Sequence, residues 1–500
     1  MDYDYIVVGG GTSGCIVASR LAESGYTVLI LESGEDGRSI YKVNNLKEWS
    51  QLLGTKYDYD YSTNNTQGVN QKIKYSRGKL LGGCSSHNSC IAFKVPDYDL
   101  NEWVKHGAIG WEPRSMDRFF NKVYQKITIE SAKLYNPFIN DFFDASINFG
   151  LNEIKFSEKV SPGIGWFDLN KKGLFRQSST IYLPPKYKKP SKCIKIYTNT
   201  IVTKIILNNN RAVGVETTMG KYYARNEIIL CCGSIDTPKL LLLSGIGPKE
   251  HLESLNINTE IDLPGVGSHL LDHPECVINW ELNQEMTTEY INNWEVGIFS
   301  KSSICKELEP FDMMLHLGTT IFDMNTSLRG YPTAKYGFSL TPNVCRARSE
   351  GTIRLRSKDP FDDPIISLNY FSDLRKYDDT IMLEGFKLAR EIAKQEPLKK
   401  WIKQELTPGL TVQSDVDILK YLHETCNTVY HASGTCKMGF TSDPMSVVNN
   451  ELKVKFISGL RIADASIFPT MIGVNPNITI MAIGEKCAEL IKVDLIRSKL

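Results

Sequence analysis

The strongest constraint on this chain lies in its first thirty-two residues. Tyr5 to Val8 is a short apolar run with strand character, the turn GGGTSG follows at once, and Cys15 to Ser24 carries Ile16, Val17, Leu21 and Ala22 at helical spacing. A second apolar run, Thr27 to Leu31, ends at Glu32. Strand, glycine turn, helix and strand in that order predict a βαβ opening of a parallel sheet. Gly9, Gly11 and Gly14 supply the tight turn, the close backbone approach to a pyrophosphate and the helix-on-strand packing, with Thr12 and Ser13 in the same phosphate loop. Glu32 can accept from both ribose hydroxyls and would repel a 2′-phosphate. A glycine-rich turn alone often binds nothing, but the strand, helix and terminal acid together favour a dinucleotide. The motif does not separate NAD from FAD.

Composition narrows the partners. A chain of 500 residues exceeds what one hydrophobic core fills, so two domains or more are expected. Lys plus Arg number 58 against 57 Asp plus Glu, with no long single-sign run, which removes any electrostatic reason to invoke nucleic acid or an anionic membrane. No apolar segment reaches bilayer-spanning length, and MDYDYIVV has no signal-peptide pattern. The twelve cysteines show no CxxC pair, so they read as reduced core thiols and neither metal nor disulfide is expected. A small molecule is the expected partner. Ser498, Lys499 and Leu500 spell a peroxisomal address; without it the chain would be cytoplasmic.

Three later segments decide the cofactor. They are RGKLLGGCSSHNSCIAF (77–93), GSIDTPKLLLLSGIGP (233–248), and a third that runs from TVYHASGTCKMG (428–439) through LRIADASIFPTMIGVNPNITIMAIGEKCAELI (460–491). With the N-terminal fingerprint they resemble the glucose-methanol-choline (GMC) family of FAD oxidoreductases over nearly the whole chain. LDHPE (271–275), WEVGIF (294–299), FDMNT (322–326), GFSLTPNV (337–344) and NTVYH (427–431) carry a narrower likeness to its choline-oxidising members. The resemblance implies an α/β fold: a Rossmann-like FAD-binding domain assembled from 1–147, 190–274 and 429–500, and a substrate domain from 148–189 and 275–428. The second domain is expected to be an antiparallel sheet flanked by helices, with FSLTPN and GTIRLRS as strands roofing the flavin and LEGFKLAREIAKQ as an amphipathic helix. Residues 125–190 match the family poorly, carry many lysines and asparagines, and are expected on the outer surface or as a lid. Lys94 and Ala432 stand where the family leads one to expect tryptophan or proline.

The resemblance also assigns roles. His87, which by its own surroundings is a polar loop residue, would bond covalently to the flavin 8α-methyl, among small neighbours that let backbone lie close to the ring. Gly83, Asn88, Ser89, Cys90, Ile91 and Tyr430 would contact FAD, Val202 would lie by the adenine, and Asp464 and Ala465 near the ribityl chain and pyrophosphate. From the residues alone, Asn475 and Pro476 read as the N-cap and first position of an apolar helix from Ile478 to about Ile491, whose positive end suits an anion. The resemblance puts the flavin pyrimidine edge there. His431 and Asn475 correspond to the family's active-site histidine and its partner; whether His431 acts as base or as alkoxide stabiliser stays open. His316 would hydrogen-bond the substrate oxygen, Ser89 would lie near the flavin, and Val429 on the route of oxygen.

A quaternary ammonium has no hydrogen-bond donor, so its recognition calls for aromatic faces at ~0.5–2 kcal/mol each and a carboxylate. Trp49, Trp294, Phe322 and Glu275 correspond to such a cage. His106, His251, His269 and His423 read as structural, and His273 is undecided. The expected activity is oxidation of choline through betaine aldehyde to glycine betaine, with oxygen as acceptor and hydrogen peroxide as product, and a homodimer is the candidate assembly. The alternatives are a family member acting on a neutral alcohol or passing electrons to a quinone, a hydroxynitrile lyase, and a noncatalytic flavin-binding protein.

Overall fold

The computed structural model describes residues 2–64, 72–185, 193–286 and 289–497, so the tripeptide Ser498, Lys499 and Leu500 lies outside the described residues. The predicted βαβ opening is present. Strands Asp2–Val8 and Val28–Leu31 pair in parallel across helix Gly14–Ala22. Tyr5 to Val8 and Val28 to Leu31 are buried without alternation, the pattern of strands covered on both faces. Ile194–Tyr197 extends this sheet beyond Val28–Leu31, and Gly220–Leu230 followed by Leu460–Ile462 extends it on the other side, all in parallel. The first residues of Gly220–Leu230 also pair with an antiparallel meander, Arg211–Thr217 and Val202–Asn208. Three distant stretches of chain thus meet in one sheet. The C-terminal helix Asn477–Arg497 packs on helix Gly14–Ala22 so closely that a Cβ at Gly484 would sit 3.0 Å from the Ser13 carbonyl oxygen.

The second sheet is antiparallel, in the order Ile402–Thr407, Ile278–Leu282, Gly337–Val344, Met313–Gly318, Val296–Ser300, Gly163–Trp166. Gly337–Val344 is buried at every position and is covered by helix Tyr377–Ala393, the predicted amphipathic helix. Short strands Pro274–Glu275 and Asn427–Thr428 pair with each other, and Glu275 pairs with Asn343, which attaches this segment to the sheet.

Three expectations are corrected. GTIRLRS does not roof the cavity: Thr352–Arg354 pairs with Ile365–Ser367 in a separate ladder, because the intervening SKDPFDDP turns the chain back on itself. Residues 125–190 are not merely outer surface. Helix Pro137–Asn148 buries Phe138 and Phe142, Gly163–Trp166 is a strand of the antiparallel sheet, and Phe167 and Arg176 are buried. Lys126, Lys133, Lys155, Lys159 and Lys172 lie exposed while Phe138, Phe142 and Phe167 carry the packing. The C-terminal helix, Asn477–Arg497, is capped one residue later and ends later than the sequence suggests. The Pro476 carbonyl accepts from the Ile480 N–H, so Asn475 stands one step outside, and its side-chain oxygen makes no capping bond. The helix runs past Ile491 because Asp494 is held by Arg461 and Lys453.

Candidate active site

A cavity of about 460 Å³ is lined by residues of both sheets, Val8 and Leu31 from one and Glu275 and His316 from the other. Every residue singled out in the sequence as a site candidate borders it except Gly14 and Cys90. Gly14 lies beneath the phosphate loop, where a Cβ would come within 2.1 Å of the Gly9 carbonyl oxygen. Cys90 is buried behind its loop with φ at +67°. None of His106, His251, His269 and His423 borders the cavity.

At one end the turn is built so that only glycine fits. Gly9 has φ +91°, and a Cβ there would meet the Cys231 carbonyl oxygen at 2.6 Å. Glu32 accepts from the N–H groups of Gly10 at 2.9 Å and Gly34 at 2.8 Å. Burial lifts its carboxyl to about 7 against the pull of those bonds. Asp464 is already engaged: it accepts from the Gly233 N–H, the Thr237 hydroxyl and the Ser466 N–H. Its carboxylate therefore ties the start of helix Gly233–Leu243 to the C-terminal segment at the cavity wall.

The lining is rich in polar atoms that the protein leaves unpaired. Ser13 Oγ, His87 Nε2, Ser234 Oγ, Tyr430 OH, Asn475 Oδ1 and Asn477 Nδ2 are buried without a hydrogen-bond partner among the described residues. Each such atom costs about 1–3 kcal/mol unless something pairs it. They run from the glycine loop to the start of the C-terminal helix, a distribution that fits an extended polar dinucleotide. Burial pushes the His87 ring down to about 4, so it is neutral, and its Nε2 lies 3.9 Å from Asp58 Oδ2. Arg176, unanticipated from sequence, holds this loop in place. Its guanidinium donates to the carbonyls of Val43 (2.6 Å), Asn88 (2.8 Å) and Ser85 (3.3 Å).

At the other end three histidines meet. His431 Nδ1 lies 2.8 Å from His273 Nδ1, and the rings cross at 84°. Asp272 Oδ1 accepts the backbone N–H of both residues, while Oδ2 accepts from Tyr75, Tyr370 and Thr428 hydroxyls. Burial first, then the neighbouring His273, His316 and Arg77, drive His431 well below the usual histidine range. Burial takes His316 down to about 3. The Asn343 amide lies 3.4 Å from His316 Nδ1, so that nitrogen accepts and His316 keeps its hydrogen on Nε2. One neutral ring can therefore donate to a substrate oxygen.

Glu275 is buried, 3.9 Å from His316, and burial lifts its carboxyl to about 8. Near it Trp294 stands edge-on to Phe322 at 5.6 Å and to His316 at 6.1 Å. Asn292 organises these aromatics, and nothing in the sequence marks it beyond an Asn-Asn pair ahead of Trp294. Its carbonyl accepts from the Trp49 indole at 2.8 Å, its Oδ1 from the Trp294 N–H at 2.9 Å, and its amide donates to the Ser89 carbonyl at 2.7 Å. Asn292→Ala is expected to lower stability by about 1–3 kcal/mol, since it strands the Trp294 N–H and the Ser89 carbonyl on opposite walls; thermal unfolding measures it.

Lys94, one of the departures from the family, reaches outward to Asp117 at 2.6 Å, while Phe93 stays packed on Phe156, Phe167 and Phe299. Ala432 is buried.

The GMC oxidoreductase sequence profiles match residues 3–275 and 347–484. The chain belongs to the GMC oxidoreductase family. Choline oxidase of Arthrobacter globiformis is 41% identical, over 98% of this chain and 94% of that protein. Oxygen-dependent choline dehydrogenase of Vibrio vulnificus is 30% identical, over 98% and 94%. Among solved structures, pyridoxine 4-oxidase from Mesorbium loti superposes with a TM-score of 0.88 over 97% of this chain and 98% of that one, at 24% identity, which speaks for the fold. As a GMC enzyme the chain is an FAD-dependent alcohol oxidase, with a nucleotide-binding parallel sheet and an antiparallel substrate-side sheet. No helix among the described residues is long and apolar enough to cross a membrane.

Proposed function

We propose that this GMC enzyme oxidises choline to betaine aldehyde and, through the aldehyde hydrate, to glycine betaine. Each step would deliver two electrons to oxygen and release one hydrogen peroxide. The observation that carries this reading is the buried Glu275 carboxyl beside Trp294 and Phe322 in the same cavity as His431, His316 and Asn475. The relatives named above, which act on choline, support it.

In this reading Trp49, Trp294 and Phe322 surround the trimethylammonium group and the Glu275 carboxylate faces it. The alcohol end then lies among His431, His316 and Asn475. His431 takes the hydroxyl proton, and His316 and Asn475 hold the oxygen. Bound FAD supplies the two-electron acceptor for the hydride that leaves the alcohol carbon. Gly9, Gly11, Thr12 and Ser13 would cradle its pyrophosphate, Glu32 its ribose, and Val202 the adenine; Ser89 and Val429 would flank the ring. His87, neutral and with Nε2 unpaired, would carry the covalent bond to the 8α carbon. The chain segments 1–147, 190–274 and 429–500 would form the FAD domain on this reading.

Two measurements test it. Anaerobic choline is expected to bleach the flavin absorbance, and an unbleached spectrum removes choline as substrate. Acid precipitation is expected to pellet the yellow colour with wild-type protein, whereas the His87→Asn variant releases it to the supernatant.

A further inference from the structure

His273 does not border the cavity; it stands behind His431, wholly enclosed by protein. Its Nε2 lies 2.8 Å from the Cys345 carbonyl oxygen and 2.9 Å from the Ile472 carbonyl oxygen. Carbonyl oxygens only accept, so this nitrogen carries a hydrogen shared between them. A neutral imidazole has one N–H, which leaves His273 Nδ1 as a lone pair. That lone pair faces His431 Nδ1 at 2.8 Å, so His431 carries its own hydrogen there. The other His431 tautomer would set two lone pairs against each other at hydrogen-bond distance. Burial, and Arg346 nearby, keep His273 in the neutral form that this pattern needs. Asp272 fixes both backbones through one oxygen, so neither ring can back away without losing a buried bond.

We propose that His273 is a positioning residue that holds the His431 ring with Nδ1 protonated, leaving Nε2 as the atom that accepts the alcohol proton. The inference rests on the reading of His431 as the proton acceptor. The hydrogen bonds that His431 makes to described residues run through its Nδ1 and its backbone N–H, and the ring borders the cavity. When the alcohol proton arrives at Nε2, the imidazolium keeps its Nδ1–H bond to His273, so no second proton has to move. The anchor also reaches the reacting end along the chain, because the Ile472 carbonyl precedes Asn475 by three residues. The titratable and charged groups around the pair are Asp272, Arg77, Arg346 and His316, with Tyr75 and Tyr370 bonded to Asp272.

The test has a direct arm and a functional arm. In the holoenzyme labelled with ¹⁵N-histidine, the His431 signals, assigned by their loss in His431→Gln, should show a protonated Nδ1 and an unprotonated Nε2. The reverse pattern overturns the proposal, even in an enzyme that choline bleaches normally, and in that case the functional reading survives alone. In anaerobic mixing, His273→Phe should slow flavin reduction by choline by on the order of 10²-fold or more, as loss of the orienting partner does in other histidine bases, with the choline Kd unchanged. His273→Asn, which keeps an acceptor oxygen on a short side chain, should recover at least about tenfold of that loss. A His273→Phe variant that reduces at the wild-type rate sinks the proposal; if that variant does not fold, the nitrogen spectrum of the wild type decides.

Discussion

Glu275→Ala raises the choline Kd by on the order of 10²- to 10³-fold above pH 8, because the trimethylammonium group is then desolvated with no opposite charge to face. Flavin content should not change, since Glu275 has no part in the glycine loop or the His87 segment. The sign of the pH dependence follows from burial, which lifts the Glu275 carboxyl to about 8 in the free enzyme. Only the anion pairs with a cation, so below about 8 wild-type affinity falls about tenfold for each pH unit. Above it the affinity levels off. The alanine variant should bind equally weakly at every pH. Titrating the oxidised flavin with choline, or with a non-oxidisable trimethylammonium analogue, across this range measures both effects. Equal Kd values for the two proteins would place the cation elsewhere.

His431→Ala lowers the rate of flavin reduction at saturating choline by about 10²- to 10⁴-fold, the usual contribution of a positioned proton acceptor. The choline Kd should move little, because the cage and Glu275 are untouched. This separates it from the first variant, which acts on binding. Stopped-flow reduction under nitrogen gives the limiting rate and the Kd from one series. A rate within a few-fold of wild type would assign proton transfer to another group, with His316 the neighbour to test next.

The glycine loop and Glu32 are legible in the spacing of strand, turn and helix, whereas His87, His316, His431, Trp49, Trp294, Phe322 and Glu275 are legible only through the family resemblance; each of these side chains borders the cavity. The residues that hold them are not legible. Asn292 bonds to Ser89 across 203 positions and Arg176 to Asn88 across 88, and such long-range partners leave no periodicity to read. Asp272 was adjacent to a visible clue, the LDHPE run, yet its five donors come from segments scattered between Tyr75 and His431. His273 could not be placed because a histidine beside an acid reads equally well as a core residue. The sheet edges failed for a related reason: GTIRLRS has the alternation of a strand, but which strand it joins is fixed by the turn after it.

Arg176 sits in the stretch expected on the outer surface or as a lid, yet its guanidinium is what the Val43, Ser85 and Asn88 carbonyls hang from. That stretch is therefore not a loose outer layer. Replacing that stretch would loosen the shelf on which His87 rests, and on the proposed reading the damage would surface as incomplete loading of the flavin before it showed in the alcohol chemistry.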